Sequence, residues 1–277
     1  MTNPPSPLAV PLPWNLVASA YAAEVTPMFE SFAREAIALA GATPESRVLD
    51  VACGPGTVSL LAARAGLVVD ALDFSPAMIK ELEARLAAHA ITTVTPRLGD
   101  GQALPFTDGS FAAAFSMFGL MFFPDRARGF AELRRVLHKG AKAVVSSWTP
   151  MEQVPVMGAM FSALREGMGK ALAPGATAPG PQEMPLSSEA ACVAEMSTSF
   201  RDVKVYRAIH TERFASADAL WESFTRTLAP VVLMKQSLGA ERWAPLDAAA
   251  RAAIRGVIGE GPGDMTLTAL LSVGVAA

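Results

Sequence analysis

The sequence predicts an α/β fold: a doubly wound, mostly parallel sheet with an inserted, mainly helical cap. Between Arg47 and Trp148, short β-branched runs alternate with amphipathic segments of helical period. Strands that alternate with helices pair in parallel through right-handed crossovers, so this stretch forms the sheet. After Trp148 the alternation stops, and a methionine-rich segment and a Pro/Gly/Ala loop precede the last group of elements.

The first elements follow from capping residues and apolar spacing. Thr26 and Pro27 predict a helix start, as N-cap and first helical residue. Ser75 is the expected N-cap of a later helix, and Gly140 the expected stop of the helix that contains His138. The predicted strands cover residues 47–53, 67–74, 94–98, 111–118 and 142–148, and the helices between them cover residues 57–65, 76–89 and 124–138.

The second half contains fewer strands. Ser216 predicts a helix start, and the last forty residues predict one more helix and a closing apolar strand. We expect the sheet to resume at Val203. The remaining predicted elements are a helix at 151–172, a loop at 173–185, a helix at 187–196, a strand at 203–210 and a helix ending at 228.

Composition narrows the functional classes. Of the 277 residues, 51% are hydrophobic and 18% charged, which is typical of a globular chain. The net charge is −3 and no Lys/Arg cluster occurs, so a nucleic acid is a disfavoured partner. Two cysteines and three scattered histidines provide neither a disulfide framework nor metal-ligand spacing. Residues 1–13 do not resemble a secretion signal, and no apolar run is long enough to span a membrane, so we expect a cytoplasmic protein. We expect it to be a monomer or a homodimer.

A glycine-rich turn is the first candidate site. Gly54-Pro55-Gly56 follows a predicted strand and precedes a helix, at the sheet edge where open α/β sheets bind ligands. Asp73 ends the next strand, and an acid there can accept hydrogen bonds from both ribose hydroxyls of an adenosine-containing cofactor. A tight turn that binds nothing is the alternative for the glycines, and an exposed strand-end acid is the alternative for Asp73.

Two cofactor classes are compatible with this turn. A dinucleotide site favours Gly or Ala where Ser59 stands, and Asp50, ahead of the turn, is unusual for that class. S-adenosylmethionine requires a site for a zwitterionic methionine tail, a ribose and an adenine. Asp100 ends the third strand, where a carboxylate can accept from the adenine amino group, although Asp100-Gly101 is also an ordinary turn sequence.

Five ordered segments resemble the class I S-adenosylmethionine-dependent methyltransferases, in particular the group of the ubiquinone and menaquinone biosynthesis methyltransferases. They are VLDVACGPGTVSL (48–60), ALDFSPAMI (71–79), GDGQALPFTDGSF (99–111), FSMFGLMFF (115–123) and ELRRVLHKGAKAVVSSW (132–148). The resemblance implies a Rossmann-like fold with S-adenosylmethionine as cofactor and S-adenosylhomocysteine as product. The similarity fades after Trp148. The pattern of predicted elements divides the chain into an arm and lid helix (1–40), the cofactor-binding core (41–150), the inserted cap (151–200) and a closing segment (201–277).

The resemblance also implies roles for individual residues. Ala52, Gly54 and Gly56 would approach the methionine and ribose, with Asp50 organising that end and Met117 near the sulfonium. Asp73 would hold the ribose hydroxyls. The adenine would lie between Phe74 and Met78, with Asp100, Gly101 and Gln102 at its edge. Trp14 and Tyr21 resemble lid positions that fold over the cofactor, and packing of their helix onto the core is the alternative.

Two departures from the family pattern concern structural positions. Ala112 stands where the family often has an acid, and His138 lies in the turn that usually reads Lys-Pro-Gly-Gly. We expect His138 to be a helix-end residue that interacts with the dipole, and not a catalyst.

The methyl acceptor is the least determined feature. Nucleobase amino methyltransferases often carry a polar clamp after strand four, whereas residues 117–120 (MFGL) are apolar. The apolar loop of Phe118, Leu120, Met121, Phe122 and Phe123 and the methionine-rich cap predict a hydrophobic or aromatic small molecule, methylated on oxygen or carbon, although such residues also form cores. The candidate substrate-binding residues are Phe118, Met121, Phe122 and Trp14. No catalytic base is assigned among His210, Glu152 and His89, and a protein that binds the cofactor without methylating is the alternative.

Overall fold

The computed structural model describes residues 6–150, 153–171 and 184–277, and these form one seven-stranded sheet flanked by helices. The strand order is β3-β2-β1-β4-β5-β7-β6. Strands β1 to β5 are parallel, and β7 is antiparallel to both β5 and β6. The strands are β1 (Arg47–Val51), β2 (Val68–Asp73), β3 (Val94–Leu98), β4 (Phe111–Met117), β5 (Leu137–Trp148), β6 (Arg201–Phe214) and β7 (Gly263–Val275). The predicted doubly wound fold is confirmed.

The helices cover both faces of the sheet. Alternate residues of β1 point to opposite faces: Val48 packs in one apolar core, and Leu49 and Val51 pack in the other. Ser75 caps α4 as predicted, since its Oγ accepts from the Met78 N–H at 3.1 Å. The helices are α1 (Pro11–Ala20), α2 (Thr26–Ala40), α3 (Thr57–Arg64), α4 (Pro76–Ala88), α5 (Arg126–Val136), α6 (Pro155–Ala171), α7 (Glu189–Met196), α8 (Ala217–Thr227) and α9 (Ala229–Ile258).

The N-terminal segment differs from the prediction. Helix α1 already begins at Pro11, and a π-helical turn (Tyr21–Val25) joins it to α2 without a break. Thr26 is therefore not an N-cap: the residue before it is helical, and its side chain caps no N–H. Proline is tolerated in the first turn of a helix, which explains how a Pro-rich segment starts one here.

The segment around His138 also differs. Helix α5 ends at Val136, and His138 lies in β5, so it is not the predicted helix-end residue. Gly140 does not stop a helix; its φ is +83° and its N–H donates to the carbonyl of Ala276 after β7. Pairing with a neighbouring strand outweighs the helical pattern of this segment.

The predicted cap is assembled from two parts of the chain. Helices α6, α8 and α9 share one apolar cluster that includes Met160, Trp221 and Leu246. Helix α7 packs elsewhere, against the sheet and α5, through Cys192 and Met196. The division of the chain into four segments remains a prediction. The described residues do not include Met151, Glu152 or most of the predicted 173–185 loop. None of the helices that are described is long and apolar enough to cross a membrane.

Candidate active site

A cavity of ≈ 230 Å³ opens at the carboxyl ends of β1 to β4, where the strand order reverses. This is the position at which open α/β sheets bind ligands. Its wall has a polar side, formed by strand-end acids and peptide groups, and an apolar side. The residues that line it are Leu8, Ala9, Trp14, Tyr21, Ala52, Gly54, Leu72, Asp73, Phe74, Met78, Gly99, Asp100, Gly101, Gln102, Met117, Phe118, Gly119, Phe122, Phe123 and Pro124.

The glycine turn forms the floor of this cavity. Gly54 lines it with a φ of +53°, which an L side chain rarely adopts. Gly56 does not line it. A Cβ on Gly56 would lie 2.3 Å from Leu82 Cδ1, so this glycine allows the turn to pack against α4. The resemblance placed Gly56 near the ligand, whereas the structure gives it a packing role.

Arg85 supports the turn from behind. Its guanidinium donates to the carbonyl of Pro55 at 2.6 Å. Burial lowers the pKa of Arg85 from its usual value. The sequence analysis missed this residue because nothing in its spacing on α4 indicates that it reaches the turn.

Asp73 is buried at the end of β2, with 5% of its surface exposed. Its Oδ2 accepts from the Gly54 N–H and its Oδ1 from the Ser75 N–H, both at 2.8 Å. Burial raises the pKa of Asp73 to about 6, although the two hydrogen bonds act in the opposite direction and lower it. Each carboxylate oxygen has capacity for a further hydrogen bond, so Asp73 is able to accept from a ligand in the cavity.

Three consecutive residues form the far edge of the polar side. Asp100 accepts from the backbone N–H of Gln102 at 2.8 Å, and Gln102 Oε1 accepts from the Asp125 N–H at 2.9 Å. A Cβ on Gly101 would lie 2.5 Å from Phe123 Cζ and 2.8 Å from Val51 Cγ1. Only glycine fits there, which keeps this edge of the cavity open.

Asp50 lies behind this wall, at a smaller cavity of ≈ 50 Å³. Ser59 Oγ donates to its carboxylate at 2.6 Å. Burial raises the pKa of Asp50 to about 7, and nearby Asp73 adds to the increase. The two cavities share five lining residues: Tyr21, Ala52, Gly54, Met117 and Phe118.

The N-terminal helices cover both cavities. Trp14 contacts Phe122 with ring centroids 5.4 Å apart, and Tyr21 lines both cavities. Burial raises the pKa of the Tyr21 hydroxyl, and the charge of Asp73 adds to this. Asn15, which the sequence analysis missed, accepts from Ser75 Oγ at 2.7 Å and so ties α1 to the start of α4. Trp14 and Tyr21 also pack against the apolar cluster of Val17 and Met78, and their role as a lid over the cofactor remains a prediction.

The apolar side of the larger cavity follows the end of β4. Met117, Phe118, Phe122 and Phe123 line it. Met121 does not: its side chain is 1% exposed and packs in the core between α5 and the sheet. The short helical turn after Gly119 points Met121 inward, so its predicted role in substrate binding is wrong.

The polar side fits S-adenosylmethionine. This cofactor has a net positive charge, because it carries a sulfonium, an ammonium and only one carboxylate. Asp73 and Asp100 line the larger cavity and Asp50 the smaller one, whereas none of the described lining residues is Lys, Arg or His. A site with only acidic charges suits a ligand of net positive charge. The buried Asp73 carboxylate lies beside the backbone of Gly54, whose φ of +53° disfavours a side chain, and this arrangement suits the ribose.

The comparisons with known proteins agree with this geometry. Residues 48–140 match a family model described as a methyltransferase domain. An uncharacterised protein of Mycobacterium tuberculosis is 32% identical over 197 residues, which cover 71% of this chain and 69% of the relative. The demethylmenaquinone methyltransferase of Renibacterium salmoninarum is 42% identical over 109 residues, which cover 39% of this chain and 44% of that enzyme.

A solved structure extends the similarity to nearly the whole chain. That of the cyclase SpnF has a TM-score of 0.57 and 15% sequence identity, and the match covers 98% of this chain and 97% of that one. At this identity the likeness shows the fold alone. The family model covers the segment from β1 to the start of β5, which carries most of the cavity wall.

Proposed function

Since the chain belongs to the class I S-adenosylmethionine-dependent methyltransferases, we propose that it methylates a small hydrophobic or aromatic molecule on oxygen or carbon. When bound, the cofactor supplies a methyl group activated on a sulfonium, with S-adenosylhomocysteine as the product. The residues of the chain then have three tasks: to hold the cofactor, to orient the acceptor and to exclude water.

The observation that carries the proposal is the mixed lining of the larger cavity. Carboxylates and peptide groups lie at the strand ends, and the apolar lining residues include Met117, Phe118, Phe122 and Phe123. An acceptor that enters beside a cofactor held on the polar side meets aromatic rings and a thioether. The similarity to a demethylmenaquinone methyltransferase over 39% of the chain supports an apolar acceptor as well.

The cofactor contacts are proposed from the same geometry. Asp73 binds the ribose hydroxyls, and Asp100, Gly101 and Gln102 bind the edge of the adenine between Phe74 and Met78. Asp50, Ala52 and Gly54 surround the methionine end, and Tyr21 closes it from above. Trp14 and Phe122 close the cavity on the side of the lid.

No general base is assigned to the chain. His89 follows the end of α4, and His210 packs against Phe32 and lies 3.1 Å from Glu212; neither lines either of the two cavities described above. Glu152 lies outside the described residues. The proposal therefore favours an acceptor that needs no base from the described part of the protein, such as an activated ring carbon.

The test is transfer of labelled methyl from S-adenosylmethionine to a panel of quinols, phenols and polyketide-like acceptors, with product identification by mass spectrometry. We expect one methyl on an apolar acceptor and one equivalent of S-adenosylhomocysteine. The alternative, a cofactor-binding protein that does not methylate, predicts tight cofactor binding without transfer to any acceptor. The fold shared with a cyclase is compatible with that outcome.

A further inference from the structure

Phe118 has an unusual backbone conformation at the junction of the two cavities. Its φ is +57°, in the left-handed region that non-glycine residues rarely occupy. Ala52, at the end of the adjacent strand, has a φ of +55°. Such conformations persist only where the surrounding structure holds them, and they concentrate at functional sites.

Two buried serines and one close contact hold Phe118 in place. The Phe118 N–H donates to Ser146 Oγ at 2.8 Å, and the Leu120 N–H donates to Ser116 Oγ at 3.2 Å. A Cβ on Gly119 would lie 2.3 Å from the Cβ of Ala52, so the two strand ends interlock only with glycine there. The backbone of this turn is therefore fixed before any ligand binds.

The ring of Phe118 is fixed as well. It stacks on Trp148 with centroids 4.0 Å apart and planes inclined by 12°, and Phe29 contacts both rings at 4.9 and 5.4 Å. Phe118 lines both cavities, whereas Trp148 lines neither. Phe118 is 7% exposed and belongs to the apolar cluster of α6, α8 and α9, and of the two stacked residues it is the one that borders the cavities.

We propose that Phe118 is the platform on which a planar, uncharged aromatic acceptor stacks, so that this residue determines the class of the acceptor. The inference rests on the proposed function and specifies its substrate. A rigid, pre-positioned ring gains more from an offset-stacked planar partner than from an aliphatic one of equal size, because the aromatic quadrupoles add to the burial of apolar area. An anionic acceptor would meet only acidic charges among the described lining residues.

The experiment compares a planar alcohol with its saturated counterpart, 2-naphthol and decahydro-2-naphthol. Each is titrated calorimetrically into the protein saturated with S-adenosylhomocysteine. We expect the wild type to bind the planar alcohol about fivefold more tightly, from the range of aromatic pair energies. Phe118→Leu should abolish this preference, and Phe118→Tyr should retain it.

Two further variants make the test specific. Ser146→Ala removes the hydrogen bond to the Phe118 N–H without changing the ring, and we expect an intermediate preference for the planar alcohol. If Phe118→Leu does not fold, Ser146→Ala takes its place in the test. Phe106→Leu deletes a ring that packs on Phe111 away from the cavities, and should leave the preference intact. Equal preferences in the wild type and the Leu variant, or failure of both alcohols to bind the wild type, would overturn the platform.

The outcomes separate this inference from the proposed function. Methyl transfer by a wild type that shows no planar preference refutes the platform and leaves the methyltransferase activity standing. A planar preference that depends on Phe118, without transfer to any acceptor, supports the platform and refutes the proposed reaction.

Discussion

Acidification should weaken cofactor binding, because Asp73 must be ionised to accept hydrogen bonds from both ribose hydroxyls. Burial raises its pKa to about 6. The ionised fraction is then about 0.97 at pH 7.5 and about 0.1 at pH 5, so the affinity for S-adenosylhomocysteine should fall about tenfold over this range. Asp50, with a pKa of about 7, steepens the dependence if its charge also contributes to binding.

Calorimetry between pH 5 and 7.5, in buffers of different ionisation enthalpy, measures both the affinity and the protons released. We expect proton release on binding near pH 6 and a shallower pH dependence in Asp73→Asn, which cannot ionise there. The raised pKa values of the two acids also predict that, without cofactor, the free energy of unfolding falls as the pH rises from about 4 to 7. An affinity that is independent of pH, or that increases on acidification, would refute the role of Asp73.

Substitutions of Asp73, Gly101 and Arg85, two of them with a control, test the site further. Asp73→Ala should weaken binding of S-adenosylmethionine by about 1–3 kcal/mol through lost charge-assisted hydrogen bonds, and unchanged affinity with an intact fold would contradict this. Gly101→Ala places a Cβ 2.5 Å from Phe123 Cζ and should lower the free energy of unfolding in urea by about 1–3 kcal/mol. Gly256→Ala is the control, since nothing lies within 4 Å of its Cβ, and it should not lower the free energy of unfolding. Arg85→Met removes the hydrogen bond to Pro55 and should weaken S-adenosylmethionine binding, measured by calorimetry, by about 1–2 kcal/mol. Arg85→Lys should recover part of this affinity. Equal affinities in the wild type and both variants would exclude a positioning role for Arg85.

The parts of the fold that were predictable are those with strong local signals. The run 94–98 gave a strand with the observed bounds, and Ser75, Ser188 and Ser216 each cap a helix close to the expected start. The wrong predictions arose where contacts between residues far apart in the sequence determine the local structure. The continuous α1–α2 segment depends on packing of Val17 against α4 and α9, which the sequence pattern around Thr26 does not reveal.

The candidate site shows the same division. Turn glycines and strand-end acids were recognisable because their types and order suit one ligand class, and all of them lie at the carboxyl edge of the sheet. Asn15 and Arg85 act across long sequence separations through single hydrogen bonds, which no local pattern indicates. Met121 was misjudged because apolar residues of a short turn look alike until their directions are known.

The central claim is that the glycine turn and Asp73 build a site for S-adenosylmethionine. Calorimetry of the purified protein with S-adenosylmethionine, S-adenosylhomocysteine and the oxidised and reduced nicotinamide dinucleotides tests it most directly. We expect micromolar binding of the first two alone. Binding of a dinucleotide instead, or of none of the four, would contradict it.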